Sequence, residues 1–191
     1  GVPALIVSVL MRPNPFMLYA GEEFGERGMD TEGFSGKDGR TTIFDYWCVD
    51  TIRRGYYSRR ELSKGERQIE KTHSQLLNLA TSDELFKSGS FYDLMYANPH
   101  SSSFDTNAVY AFLRKSDKAL AIVAVNFSDT EKDTRINIPP HAFEYLGIEE
   151  CETKARELLT GDEHTLSLSM SSPVHVTIPP YSGVILKVLA S

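Results

Sequence analysis

The 191-residue chain carries 26 acidic against 20 basic side chains, a net charge of −6, which leaves no basic footprint for nucleic acid and no polybasic patch for an anionic membrane. Its longest apolar run is too short to cross a bilayer. Cys48 and Cys151 stand about a hundred residues apart and form neither a disulfide framework nor a metal-ligand cluster, so the balance favours a neutral polar ligand, with no cofactor and no metal implied.

In chain order, the sequence opens Gly1-Val2 inside an apolar helical pattern with no initiator methionine, and it reads as the tail of a longer protein. Residues 2–12 read as the end of an apolar helix stopped by Pro13 and Pro15, since proline cannot continue one. Residues 13–25 follow as a short apolar strand running into Gly21-Glu22-Glu23-Phe24-Gly25. A carboxylate pair bracketed by glycines at a strand end belongs at the ligand-facing mouth of a parallel α/β barrel. Residues 26–62 form a long polar connector, and its cluster Ile43, Phe44, Tyr46 and Trp47 argues for an ordered loop.

Ser63-Lys-Gly-Glu66 has the form of a capping box, and Ile69, His73, Leu76, Leu77 and Ala80 follow at helical spacing. From about residue 91 the chain turns to short β-branched and aromatic runs between polar turns. The spacing predicts strands over 91–96, 108–114, 119–127, 134–138, 154–159, 165–170, 174–178 and 183–189, the second and third joined by a four-residue hairpin loop at 115–118. The third is apolar on both faces and is expected at the sheet centre. Pro139-Pro140 and Pro179-Pro180 each end a strand, because proline cannot donate to a ladder. This spacing is that of an antiparallel sandwich or barrel.

Pro15, Phe16, Met17, Leu18, Tyr19, Ala20, Gly21, Glu22, Glu23, Phe24 and Gly25 resemble the eighth barrel strand of α-amylase-family glycoside hydrolases. The flanking helices then resemble that family's seventh and eighth. Val109-Tyr-Ala-Phe-Leu-Arg114, Ala121-Ile-Val-Ala-Val-Asn-Phe-Ser128 and Ile178-Pro-Pro-Tyr-Ser-Gly-Val-Ile-Leu186 resemble three landmark strands of the family's C-terminal domain, in the same order. The resemblance implies a mostly β fold: an α/β remnant of a TIM barrel over residues 1–83, then an antiparallel β-sandwich of about eight strands over residues 84–191. It implies a parent that hydrolyses or transfers α-glucosidic linkages in starch-like or maltooligosaccharide substrates by a retaining mechanism. The family's catalytic carboxylates lie on earlier strands, so none is carried over and the chain itself is expected to be inactive. A non-catalytic carbohydrate-binding sandwich and a purely structural domain are the alternatives.

Four residues are candidates for contact with substrate. Neighbours on a strand point to opposite faces, so Glu22 and Glu23 cannot both flank one glycosidic bond. Either is expected to hydrogen-bond sugar hydroxyls, or to form a buried ion pair with a neighbouring barrel arginine. Tyr19 and Trp47 present aromatic faces suited to stacking on sugar rings, or to packing in a core. Asp30, Glu32 and Asp38 do not follow the EF-hand spacing and read as a solvated acidic turn. His73 reads as a hydrogen-bonded core or boundary residue. An apolar strand stripped of barrel neighbours is expected to fold back onto its own chain or to pair with a second copy as a homodimer.

Overall fold

The structure is a computed structural model, and it describes residues 1–26 and 50–189. In chain order it contains α1 (Val2–Leu10), a 3-10 turn (Glu22–Phe24), α2 (Asp50–Ile52), α3 (Lys64–Ser82) and α4 (Glu84–Ser88). There follow β1 (Ser90–Asp93), β2 (Val109–Ser116), β3 (Ala119–Asn126), β4 (Lys132–Ile136), α5 (Pro140–Leu146), β5 (Cys151–Glu157), β6 (Glu163–Leu168), β7 (Val174–Ile178) and β8 (Ser182–Leu189). Two compact units result: Gly1–Asn14 with Leu76–Ser191, and Pro15–Gln75. The first of these units joins α1 to the β-rich part of the chain. No helix among the described residues is long and apolar enough to cross a membrane.

All eight predicted strands are present and mostly antiparallel β is the fold class. They form a six-stranded sheet in the order β1-β2-β3-β8-β5-β6 and a two-stranded sheet of β4 and β7. The β2–β3 hairpin is tighter than expected: Ser116 pairs with Ala119, leaving Asp117 and Lys118 as the turn. Every residue of β3 is buried, because it lies between β2 and β8 and is covered on both faces. Leu120, Ile122 and Ala124 enter the core shared with Ile136, Val174, Val176 and Ile178 of the small sheet. On the other face α1 packs on β3 and β8 through a stripe of Leu5, Ile6, Val9 and Leu10. That approach is close enough to require glycine at 183, where a Cβ would come within 2.7 Å of Ile6 Cδ1 and 3.0 Å of the Ala124 carbonyl.

Two expectations are corrected. Residues 13–20 form no strand. A strand exists only through its ladder partner, and none of the described strands pairs with this segment. The second is α5, which the double proline at 139–140 hid: Pro139 ends the preceding extended segment, but Pro140 sits at the first helical position, where its missing N–H costs nothing. Gly147, at φ 61°, then terminates the helix in the left-handed conformation.

Buried polar side chains hold the points where regular structure breaks. Arg114 on β2 has no exposed surface. One of its terminal nitrogens donates to the carbonyls of Leu10 and Met11 at 2.9 and 2.8 Å, and the other to Leu85, Phe86 and Gly89 at 3.3, 3.0 and 2.7 Å. These carbonyls lie at the C-terminal ends of α1 and α4, where the negative end of each helix dipole falls; that of Leu85 also accepts the Gly89 N–H at 3.2 Å. Asn126, at the end of β3, donates to Thr130, Ile178 and Pro179 carbonyls and accepts from the Ser128 N–H and hydroxyl. Glu157, at the end of β5, accepts from the N–H groups of Leu159, Thr160 and Ile185.

Burial pushes the Arg114 pKa down, helped by the charge of Arg12, but from so high a starting value that the group stays cationic. Arg114→Met keeps volume and takes the guanidinium away from five carbonyls. We expect it to lower unfolding free energy by about 3–5 kcal/mol in urea titrations, with Arg114→Lys, which has one nitrogen for two helix ends, falling between it and the parent.

Candidate functional site

The candidate residues lie in the unit Pro15–Gln75. Gly21 and Gly25, at φ 89° and 79°, both adopt the left-handed conformation and fold the intervening Glu22-Glu23-Phe24 into a single 3-10 turn. The turn closes through Phe24 N–H to the Gly21 carbonyl at 2.9 Å and Gly25 N–H to the Glu22 carbonyl at 2.9 Å. The two glycines thus do what the sequence suggested, bracketing the acids, but in a turn rather than on a strand. Consecutive side chains in a 3-10 helix are about 120° apart, not opposed.

The turn separates the two carboxylates by environment. Glu22 is partly exposed, and its Oε2 accepts from the Tyr19 N–H at 3.2 Å. Glu23 is buried, and its Oε1 accepts from the Tyr56 hydroxyl. Among the described residues no arginine pairs with Glu23. Phe24 is buried beside it and meets the Tyr56 ring edge-to-face at 5.2 Å and 89°, so one aromatic pair positions the phenol against the carboxylate. Tyr19 is half-buried. Trp47 and the acids Asp30, Glu32 and Asp38 lie outside the described residues.

His73 adds a group that the helical stripe alone did not place. It is buried on α3, and its Nδ1 is 3.0 Å from the Ile69 carbonyl, the hydrogen-bonded boundary role expected of it. Its Nε2 stands 3.9 Å from Glu22 Oε1, beyond hydrogen-bond reach. Glu23 Oε2 and His73 Nε2 are buried with no hydrogen-bond partner among the described residues. The capping box is formed as predicted: Ser63 Oγ accepts from the Glu66 N–H at 3.2 Å, and Glu66 Oε2 accepts from the Ser63 N–H at 2.7 Å. A charged frame surrounds the turn region, with Arg59 bidentate to Glu70 at 2.7 and 2.8 Å and Arg54 paired with both Asp50 and Glu66.

The arrangement offers hydrogen-bonding groups and aromatic faces. Glu23 is already engaged by a phenol, Glu22 is backed by a backbone N–H, and no group of three metal-ligating side chains occurs among the described residues. Tyr56 was not found from sequence, because Tyr56-Tyr57 lies in a π-helical turn, Arg53–Tyr57, that carries no apolar period. The hydrogen bond to Glu23 raises the Tyr56 pKa above its usual 10.0, with burial and the charges of Glu23 and Glu70 adding to it. Because the folded-state value is raised, its contribution to stability is complete below pH 10 and is lost as pH climbs through the raised value. Tyr56→Phe is expected to destabilise the chain by about 1–3 kcal/mol at neutral pH through the wholly unpaired carboxylate. Its ultraviolet phenolate titration should lack one of the groups that ionise late.

Residues 101–188 match the family described as alpha amylase, C-terminal all-beta domain. Over the whole chain the fold is similar to several solved enzymes. One is the noncanonic maltogenic alpha-amylase AmyB from Thermotoga neapolitana, at 13% identity and a TM-score of 0.65, covering 99% of this chain and 37% of that one. A second is AmyP in complex with maltose, at 16% identity and a TM-score of 0.62, covering 97% and 33%. A third is the alpha-amylase GTA from Geobacillus thermoleovorans complexed with acarbose, at 12% identity and a TM-score of 0.57, covering 97% and 32%. The chain spans about a third of the length of these structures. No curated protein matches it. The matched stretch begins before β2 and runs into β8, and it contains Arg114, Asn126 and the 178–186 segment.

Proposed function

We propose that the chain serves as the C-terminal portion of a glycoside hydrolase acting on α-glucosidic linkages of starch-like or maltooligosaccharide substrates, without catalytic carboxylates of its own. The observation that carries this reading is the coincidence of two things in one chain: a match to the alpha-amylase C-terminal all-beta domain over residues 101–188, and a fold likeness to amylases that extends over residues outside that match. Structures it resembles were solved with maltose and acarbose, which supports an α-glucan as the ligand class. In this reading residues 15–75 complete the parent's barrel, and the parent uses a retaining pair of carboxylates about 5 to 5.5 Å apart supplied by other segments. Tyr19, Glu22, Glu23 and Trp47 are its substrate-contacting candidates here. Glu22, the more exposed acid, is the one to hydrogen-bond a sugar hydroxyl, while Glu23 stiffens the turn beneath it.

The test is reducing-sugar release from amylose by the 191-residue chain. We expect none above the buffer blank; turnover that Glu22→Gln or Glu23→Gln abolishes would overturn the reading.

Self-association belongs to the same proposal. With α1 covering the sheet intramolecularly, the segment left to recruit a copy of itself is 15–20, where Met17 is 87% exposed. Light scattering should report a dimer that Met17→Lys converts to monomer. Monomeric masses for both would remove the dimer.

A further inference from the structure

Four aromatic side chains gather at one place on the β-rich unit. Tyr92 on β1 is buried, whereas Tyr96, in the 3-10 turn Met95–Ala97, and Tyr145 on α5 are 65% and 64% exposed, and His141 on α5 is exposed beside them. Tyr92 is the hub, with ring centroids 6.2 Å from Tyr96, 5.8 Å from His141 and 6.0 Å from Tyr145. His141 and Tyr145, one helical turn apart, lie within 12° of parallel at 6.0 Å.

Hydrogen bonds order the cluster. Tyr92 bonds both the Tyr96 hydroxyl and, at 2.8 Å, His141 Nδ1. The phenol has one proton, so the chain runs in one of two directions: Tyr96 O–H to Tyr92 and Tyr92 O–H to His141 Nδ1, or His141 Nδ1–H to Tyr92 and Tyr92 O–H to Tyr96. In either direction His141 Nε2 and the Tyr96 hydroxyl keep hydrogen-bonding capacity at the surface.

The two halves of the cluster come from distant parts of the chain, and a buried clamp fixes them to each other. Asn98 Nδ2 donates to the carbonyls of Leu94 at 2.8 Å and Asn137 at 3.0 Å, while its Oδ1 accepts from the Asn137 N–H at 2.7 Å. The turn carrying Tyr96 is thereby tied to the segment that leads into α5. Rings held in this way lose little freedom on binding a ligand.

An exposed apolar patch would mark a protein contact, but each of these rings carries a polar atom, and those atoms form one network with capacity left over. That combination suits a ligand whose faces are C–H and whose rim is hydroxyl. We propose that Tyr92, Tyr96, His141 and Tyr145 form a surface site for oligosaccharides of pyranose rings, with Tyr145 and Tyr96 as the stacking faces and His141 Nε2 as the group that reads a hydroxyl. The choice of an α-linked glucan among such ligands rests on the proposed function; the site itself rests on the cluster.

The experiment is affinity electrophoresis of the 191-residue chain in gels containing soluble starch or, separately, xylan, with isothermal titration by maltoheptaose. Starch should retard the chain. Tyr96→Ala and Tyr145→Ala should each weaken maltoheptaose binding about 10-fold, the size of losing one aromatic contact, while Tyr145→Phe keeps most of it. Both positions are exposed, and an unchanged thermal midpoint will show that folding survives. Retardation by xylan but not starch, lost in the same variants, would support the site and overturn the α-glucan reading. Starch binding that survives both alanine variants but is lost in Tyr19→Ala or Trp47→Ala would overturn the site and favour the candidate residues near the 3-10 turn. Absence of retardation in both gels would overturn the site.

Discussion

One guanidinium holds the β-rich unit together. Arg114 projects from β2, next to the edge strand of the six-stranded sheet, into a site closed to solvent, and five backbone carbonyls at two helix ends converge on it. No acidic side chain answers its charge among the described residues. Compensation comes from peptide dipoles, which cost no side-chain entropy and cannot be lost to protonation. An arginine is the side chain for this task because its planar fork offers donors in several fixed directions at once, whereas a lysine concentrates them on one atom. The helices therefore cannot slide over the sheet without breaking several charge-assisted bonds together.

The same device recurs with neutral and acidic groups wherever a strand gives way to a corner. Asn126 and Glu157 each satisfy three or more backbone groups that no ladder reaches. Asn98 does so where the chain leaves β1. Burying such groups is tolerable only when nearly all their hydrogen-bonding capacity is used, and that condition also dictates one local geometry. The apolar core fills the space between the sheets, and these polar side chains determine how the connections cross it.

Much of this was legible in the residues. The period-2 and two-faced apolar runs located every strand, and 119–126 could be placed centrally because apolar residues on both faces need cover on both. What the pattern could not supply was pairing. Nothing local in β8 says that it lies between β3 and β5, and nothing in residues 13–20 says that their apolar run lacks a ladder. The carboxylate turn was found for the right reason, its glycines, but assigned the wrong geometry. Its partner Tyr56 was invisible because that contact spans 33 positions across an aperiodic segment. α5 was missed although its signals were present, since a double proline was read only as an ending.

The position of β8 has a consequence for how the protein is made. It follows the other described strands in sequence, yet it lies in the interior of the sheet, antiparallel to both β3 and β5. Until these residues have been added, β3 and β5 each present an unpaired edge, and α1, made earlier, lacks part of the surface it finally rests on. The sheet cannot close by growth outward from a finished hairpin; it must hold a slot open for the strand that arrives last. A chain lacking β8 would thus expose two sticky edges and part of a helix face, a species suited to aggregation and to degradation.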